Sequence, residues 1–341
     1  MTAPWLIISA AAIISLPYAL SASPQDPPKF RSSVDVVSVT AVVKDRKGRF
    51  ISDLKQEDFV VSEGRDQKRI LDFRAETDGP VKLGLLVDAS GSMRVGQKAV
   101  DARETARHLF SALRNSDQAA LFSFDTRLDR VSPFTSDTAA LDAALGRLNP
   151  PYGQTSLYDA IGDASTFVAE QDRGQGRLPQ RTALVVITDG IDTHSRNTTE
   201  QVAAIASRID VPVYIIAVMS PIDDPRTDET PSFDVTGLQQ LARNTGGDMF
   251  TASAPAHASV ASRQIVAELR HQYVLAFEAS AREGWRGISV EARDKNHTVR
   301  ARTGYSAGGS SRPTPGSGPG VSSESGAALP SGRARDAVIK Q

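Results

Sequence analysis

The chain has 341 residues, enough for two domains, and its 39 basic and 40 acidic side chains give a formal net charge of -1. This balance offers no electrostatic argument for a nucleic-acid partner. The sequence contains no Cys, which excludes disulfide bonds, thiol catalysis, cysteine-ligated zinc and a lipid-modified cysteine anchor.

The N-terminal segment from Trp5 to Leu20 is apolar and uncharged. It contains Pro17, is short for a membrane span, and is followed by small residues of the kind found at signal cleavage sites. We therefore predict a signal peptide over residues 1–23 and an exported protein, periplasmic or secreted. Because no Lys or Arg precedes the apolar segment, an uncleaved anchor is the alternative, and only then would the protein contact a membrane.

Residues 30–78 have the period-two pattern of β-strands. The β-branched residues of the first strand nearly alternate: Val34, Val36, Val37, Val39, Thr40, Val42 and Val43. A turn is predicted at residues 45–48, where Gly48 supplies a positive φ, and further strands at 59–62 and 70–73. This pattern predicts a small all-β unit of immunoglobulin-like character.

Residues 80–254 alternate apolar strands with amphipathic helices, which is typical of an α/β fold. Strands are predicted at 82–87, 118–124, 182–188 and 211–218, and helices at 97–113, 136–148, 156–170, 197–209 and 236–244. Short connections between them favour right-handed crossovers and a mainly parallel sheet. Segment 128–134 is predicted to be an antiparallel edge strand.

Residues 255–305 contain a predicted helix at 260–270 and strands at 272–277, 287–293 and 297–302, the last two flanking a hairpin turn at 294–296. We expect these strands to complete the early β unit, with the α/β module inserted into it. A separate small β domain is the alternative. Residues 306–341 are rich in Gly, Ser and Pro, and we predict a disordered tail.

Polar side chains follow the first apolar strand of the α/β segment. Asp88, Ser90 and Ser92 stand at alternate positions, where a loop at the carboxyl end of a buried strand is predicted. Their oxygen atoms can converge on one point. Oxygen ligands of this kind suit a hard cation such as Mg2+, which usually keeps waters and an open coordination position.

Two later stretches extend this pattern. Gly153 to Ile161 contains Thr155 before a helix, and Leu184 to Gly190 is an apolar strand that ends at Asp189. With these in view, the sequence resembles a von Willebrand factor A (VWFA) domain with a metal-ion-dependent adhesion site. The resemblance implies a Rossmann-like module, a mainly parallel central sheet flanked by helices, and a metal held by five residues: Asp88, Ser90, Ser92, Thr155 and Asp189.

A second resemblance concerns the β unit. The stretch from Leu54 to Gly64, with Ile70 and Phe73 after it, is similar to the lead-in of bacterial secreted "VWFA-related" proteins familiar from Acidobacteria. It supports the same family. Glu57 and Asp58 within it are best interpreted as solvated turn residues.

Each proposed ligand also has a simpler interpretation. The serines could satisfy backbone groups in a turn, Thr155 could cap a helix, and Asp189-Gly190 could be an ordinary turn. The occurrence of all five residues in family order favours the metal, which could be Mg2+, Mn2+ or Ca2+. Two carboxylates neutralise a divalent cation, so it could still accept an Asp or Glu from a partner.

Three functions are compatible with these residues. The favoured one is a non-enzymatic binding protein that recognises a protein partner through a metal-bridged carboxylate. The second is a Mg2+-dependent hydrolase, although position 90 is Ser rather than the second Asp of an aspartyl phosphatase, and no G-x-S-x-G or phosphate loop is present. In the third, a scaffold, the metal would only stabilise the fold.

Overall fold

The computed structural model describes residues 36–77, 79–148, 153–173, 181–208, 210–219, 234–280 and 282–307. In chain order, the strands are β1 (Val36–Lys44), β2 (Phe59–Glu63), β3 (Asp66–Lys68), β4 (Ile70–Thr77), β5 (Val81–Asp88), β6 (Gln118–Phe124), β7 (Leu128–Thr135), β8 (Arg181–Thr188), β9 (Val213–Val218), β10 (Met249–Ala252), β11 (His271–Glu278), β12 (Gly284–Ala292), β13 (Thr298–Ala301) and β14 (Gly304–Ala307). The helices are α1 (Lys98–Ala112), α2 (Thr138–Gly146), α3 (Leu157–Arg173), α4 (Thr199–Arg208), α5 (Val235–Asn244) and α6 (Pro255–Arg270).

The central sheet has the strand order β10-β9-β8-β5-β6-β7. Its neighbouring strands are parallel from β10 to β6, and β7 pairs antiparallel with β6 at the edge. The middle strands β5 and β8 are buried along their whole length, as expected where helices cover both faces of a parallel sheet. The predicted α/β fold class, including the antiparallel edge strand, is confirmed.

The two faces of the sheet have separate cores. Leu83, Leu85 and Val87 of β5 pack with α1, α2 and α6 on one face. Leu86 packs with α3, α4 and α5 on the other, in keeping with the period-two geometry of a strand. On this second face β5 also contains Gly84, where an added Cβ would lie 2.7 Å from Val168 Cγ2. The close approach of α3 to the sheet therefore requires Gly at this position.

The remaining strands form two four-stranded sheets, ordered β13-β1-β11-β4 and β14-β12-β2-β3. Their inner faces share one core that includes Val39, Phe59, Leu275 and Tyr305. Strands from before and after the α/β segment alternate within both sheets, and β1 pairs antiparallel with β11. The all-β unit expected beside the α/β sheet is thus present as two packed sheets.

Helix α6 separates the central sheet from β11 in sequence. It was grouped with the C-terminal β strands by its position in the chain, but Ala261, Ile265 and Leu269 pack into the core between α1 and the central sheet. By its contacts, α6 is therefore part of the α/β layer. The domain boundaries drawn from the sequence stay a prediction.

The hairpin predicted at residues 294–296 is wrong. β12 pairs with β2 and β14, whereas β13 pairs with β1 in the other sheet. Residues Asp294 to Asn296 therefore connect the two sheets, in a turn in which Asn296 N donates to Asp294 Oδ1 over 2.9 Å. Alternation predicts which face of a strand is buried but not which strand is its partner, so the sequence could not distinguish the two arrangements.

Some predictions fall outside the described residues. These are the signal peptide over 1–23 and the tail from residue 308 onward. Ser306 and Ala307, assigned to the tail, belong to β14. Within the ranges that the structure describes, no helix has both the length and the apolar character needed to cross a membrane.

Candidate metal centre

The candidate site lies at the carboxyl ends of the central strands. β5 ends at Asp88 and its parallel neighbour β8 ends at Thr188, directly before Asp189. Because parallel strands end at the same edge of a sheet, the two carboxylates are brought to one place. The loop before α3 lies at the same edge, since Ser156 N donates to Asp125 O over 2.7 Å just beyond the end of β6.

Asp88 is 2% exposed. Its Oδ1 accepts from Ser90 N over 2.9 Å and its Oδ2 accepts from the Thr188 hydroxyl over 2.6 Å. Burial, and after it the neighbouring Asp189 carboxylate, raise the pKa of Asp88 to about 7, although the hydrogen bonds from Ser90 and Thr188 lower it. The charged form of Asp88 is thus disfavoured by loss of hydration and by repulsion from Asp189.

The two serines converge as the sequence predicted. Ser90 is fully buried and precedes a 3-10 turn over Gly91–Arg94, and its hydroxyl lies 3.0 Å from that of Ser92. Ser92 is partly exposed. The group formed by Asp88 and the serines therefore opens to solvent beside Ser92.

Thr155 is buried, and its loop is hydrogen bonded to the loops that follow β5 and β8. Gly91 N donates to Gly153 O over 3.1 Å, and the Thr155 carbonyl accepts from the backbone N–H groups of Thr193 and His194, each over 2.9 Å. His194 is exposed beside this loop. Three loops of the sheet edge are thus held together by backbone hydrogen bonds.

The sequence left helix capping open as a role for Thr155. In the structure, Leu157 N donates to Asp192 Oδ1 over 2.8 Å and Tyr158 N donates to the Ser195 hydroxyl over 3.0 Å. The loop after β8 therefore supplies the caps of α3. Asp192 and Ser195 were missed by sequence reasoning because their partners lie more than thirty residues earlier in the chain.

Asp189 pairs with Lys98, which sequence reasoning also missed. Lys98 Nζ lies 3.0 Å from Asp189 Oδ2, and both side chains are buried. In the helix predicted at 97–113, Val100 is 46% exposed and the buried face begins with Lys98 and Ala102. A Lys four residues before Ala102 on the same helical face is the signal that could have revealed it.

Two glycines of the site, Gly91 and Gly153, are not among the described glycines with a positive φ, and they are joined to each other by a hydrogen bond. The glycine that requires the left-handed region is Gly190, with φ 79°, directly after Asp189. Its N–H donates to the Thr188 hydroxyl over 2.9 Å, which closes the turn.

The donor chemistry of this cluster fits a hard divalent cation. Two carboxylates supply negative charge and three hydroxyls supply neutral oxygens, and Mg2+ retains water where the protein leaves positions open. Within the described ranges, no three His, Cys, Asp or Glu side chains are grouped so that they could hold a metal. A cation at this edge would therefore depend on hydroxyl and water oxygens as well as on Asp88 and Asp189.

The family comparison agrees with this topology. Residues 83–191 match the family model described as the von Willebrand factor type A domain, and this range runs from β5 to the residues just after Asp189. The chain contains a von Willebrand factor A domain. An A domain indicates a role in protein interaction. No curated protein matches the chain significantly.

Several solved structures are similar to this chain. "Conserved hypothetical protein BatB" from Bacteroides thetaiotaomicron is 20% identical, with a TM-score of 0.46 over 55% of this chain and 98% of that chain. A von Willebrand factor type A protein from Catenulispora acidiphila is 12% identical, with a TM-score of 0.46 over 82% and 76%. Proximal thread matrix protein 1 of the mussel byssus, described with a zinc-occupied MIDAS motif, is 16% identical, with a TM-score of 0.46 over 61% and 50%. The assignment of the A domain rests on the family model and the strand order.

Proposed function

We propose that this protein is a non-enzymatic binding protein whose A domain recognises a protein partner through a divalent cation. Asp88, Ser90, Ser92, Thr155 and Asp189 would hold the cation, directly or through water. An Asp or Glu carboxylate of the partner would complete its coordination. Mg2+ is the cation best matched to this oxygen donor set, and Mn2+ or Ca2+ are the alternatives.

The observation that carries the proposal is the buried carboxylate pair. Asp88 and Asp189 are 2% and 3% exposed, and their mutual repulsion contributes to the raised pKa of Asp88. Buried charges in proteins are normally paired or coordinate metals. A divalent cation would relieve this repulsion, and the nearby hydroxyls would supply further ligands without adding negative charge.

Access to the site supports a ligand that arrives from solution. Four of the five residues are buried, whereas Ser92 is partly exposed, and the rim carries the exposed Thr193 and His194. A partner carboxylate would reach the cation beside Ser92. Exposed rim residues would then contact the surrounding surface of the partner, as loop residues at binding sites commonly do.

A hydrolase is the second candidate, and it has less support. A serine nucleophile needs an adjacent base, but the Ser90 hydroxyl is hydrogen bonded to the hydroxyl of Ser92. In the part of the chain that is described, the hydrogen bonds of the His side chains are to Ser253 and Ala267, and not to Ser90 or Ser92. The apolar segment from Trp5 to Leu20 supports export to the periplasm or the outside of the cell.

Calorimetric titration of Mg2+ and Mn2+ into the full chain tests the proposal. We expect saturable binding in the unchanged protein, loss of binding in Asp88→Asn, and unchanged binding in Asp72→Asn, a matched control whose exposed carboxylate pairs with Arg74. Capture of a partner from envelope extracts should then depend on the cation and fail in chelator. Absence of binding in the unchanged protein would return the five residues to a role in turns.

The same variant tests the enzymatic alternative. Acyl and phosphoryl esters should not be turned over by the purified protein in Mg2+. Turnover that disappears in Asp88→Asn and persists in Asp72→Asn would favour the hydrolase instead.

A further inference from the structure

The Lys98–Asp189 pair places a positive charge inside the candidate metal centre. Lys98 Nζ lies 3.0 Å from Asp189 Oδ2, and the two side chains are only 3% and 1% exposed. A Lys side chain is rarely buried to this degree unless its ammonium group is paired. The charge is therefore fixed at Asp189 rather than free to move into solvent.

The position of Lys98 on its helix makes this pairing more informative. Lys98 is the first residue of α1, and the N-terminus of a helix carries partial positive charge, which disfavours a cation. Both burial and the helix dipole therefore oppose an ammonium group at this point. The carboxylate of Asp189 offsets both effects, so it favours the location of Lys98.

The charge count of the site follows directly. Asp88 and Asp189 in their ionised forms, together with Lys98, carry a formal charge of -1. A divalent cation would change this to a formal charge of +1, and one partner carboxylate would return it to zero. Without Lys98 the cation alone would already neutralise the two carboxylates, and a partner carboxylate would leave a negative charge buried.

We infer that Lys98 is a built-in counter-charge that competes with the divalent cation for Asp189. It weakens binding of the cation alone and strengthens binding of a carboxylate once the cation is present. Cation and carboxylate ligand would thus bind cooperatively, and the A domain would hold its metal firmly only in a complex. This inference rests on the proposed function and assigns Lys98 as a positioning residue for it.

The test compares Mg2+ affinity in the unchanged full chain, in Lys98→Met and in Lys98→Arg by calorimetry. Lys98→Met removes the charge and keeps the side-chain length, and we expect it to bind Mg2+ about tenfold more tightly, equivalent to about 1.4 kcal/mol. Lys98→Arg keeps the charge and should bind Mg2+ as the unchanged chain does. Lys295→Met is the matched control, because Lys295 forms an exposed pair with Glu291, and its Mg2+ affinity should not change.

A second titration uses acetate as the carboxylate probe, against chloride at equal ionic strength. Acetate should tighten Mg2+ binding in the unchanged chain and in Lys98→Arg, and this effect should be lost in Lys98→Met. If the role of Lys98 were purely structural, Lys98→Met would not raise the affinity for Mg2+ while lowering the affinity for acetate. Equal or weaker Mg2+ binding by folded Lys98→Met would overturn the inference.

The stability of the variant gives a separate reading by circular dichroism. If Lys98→Met is unfolded in chelator but folds in Mg2+, the cation has replaced the missing charge, which supports the inference. Failure of both Lys98→Met and Lys98→Gln to fold in saturating Mg2+ would make Lys98 purely structural and would overturn it. Failure of the unchanged chain to bind Mg2+ or Mn2+, with or without acetate, would instead contradict the proposed function.

Discussion

Two buried carboxyl groups in this molecule have opposite electrostatic surroundings. Glu268 of α6 is 0% exposed and is contacted by Lys44 of β1, over 2.7 Å, and by Arg300 of β13. Arg300 also pairs with Asp248 over 2.6 Å, so cations and carboxylates are balanced there. Asp88 lies instead beside a second carboxylate, Asp189, and the ammonium group of Lys98 pairs with Asp189.

The pKa values of the two groups respond accordingly. Although burial alone raises the pKa of a carboxyl group, Arg300 and Lys44 hold the pKa of Glu268 below its ordinary value. Burial and Asp189 raise that of Asp88 to about 7. The balanced cluster joins the β-sandwich to the α/β layer and needs nothing from solution. The unbalanced one has two carboxylates but one paired ammonium group, Lys98, and this excess of negative charge is what an exogenous cation would neutralise.

The largest change in the free energy of unfolding, a decrease, is expected for Glu268→Gln. Loss of this carboxylate leaves Lys44 and Arg300 without their shared partner, and breaking a buried ion pair costs about 3 kcal/mol or more of the free energy of unfolding. Urea denaturation in chelator and in Mg2+ measures this cost, which should be the same in both. Glu291→Gln, at an exposed pair with Lys295, is the control, and its loss should be much smaller because exposed ion pairs contribute little to stability. A loss in Glu268→Gln no larger than the control would remove one side of the comparison.

Asp88→Asn should act in the opposite direction in the metal-free protein. It removes one of two repelling carboxylates, so in chelator at pH 8 the free energy of unfolding should rise, on the order of 1 kcal/mol. Stabilisation by Mg2+ should disappear in the same variant. Urea denaturation with and without Mg2+ measures both changes. A clear loss of stability in chelator would mean that repulsion between Asp88 and Asp189 does not destabilise the metal-free protein.

The smallest effect is a pH dependence of stabilisation by Mg2+. Asp88 titrates near pH 7 in the folded chain and near its ordinary value of 3.8 when unfolded, so its contribution to metal-free stability is largest at low pH. That contribution is lost as the pH rises from about 4 through about 7. Because the cation requires the ionised carboxylate, the Mg2+-induced rise in Tm should grow over the same window.

Glu268 should show the reverse behaviour. Its lowered pKa means that its contribution to stability is present above the pKa of the unfolded chain and is lost as the pH falls through its folded value. Thermal melts of Asp88→Asn and Glu268→Gln, from a pH below the lowered pKa of Glu268 to a pH above that of Asp88, separate the two contributions. A Mg2+ effect independent of pH in the unchanged chain would argue against Asp88 as a ligand.

The sequence predicted the α/β sheet because β5 and β8 are continuous apolar runs that end abruptly in polar residues. Such runs are buried on both faces of a parallel sheet, so the positions of Asp88 and Asp189 at one edge follow from the pattern alone. The hydroxyls of Ser90 and Ser92 converge for the same local reason, being two residues apart in one turn. The part of the site within these elements was therefore predictable.

Helix α1 shows the limit of such patterns. Its apolar residues allow more than one orientation, and the one adopted exposes Val100 and buries Lys98. The orientation of α1 depends on how it packs against α6 and the sheet, and on the pairing of Lys98 with the Asp189 carboxylate directly after β8. The pair joins residues 91 positions apart, and local periodicity contains no information about such a contact.

By itself, the sequence determined most of the strands, the family resemblance and the five oxygen-bearing residues proposed as ligands, because these depend on local pattern and order. Only the tertiary structure decided which strands pair in the β-sandwich, which glycine turns with a positive φ, and which charges meet. Glu268 meets Lys44 across 224 residues and Arg300 across 32. The balance of charge around a buried carboxyl group is a sum over such distant neighbours, so it exists only once the chain has folded.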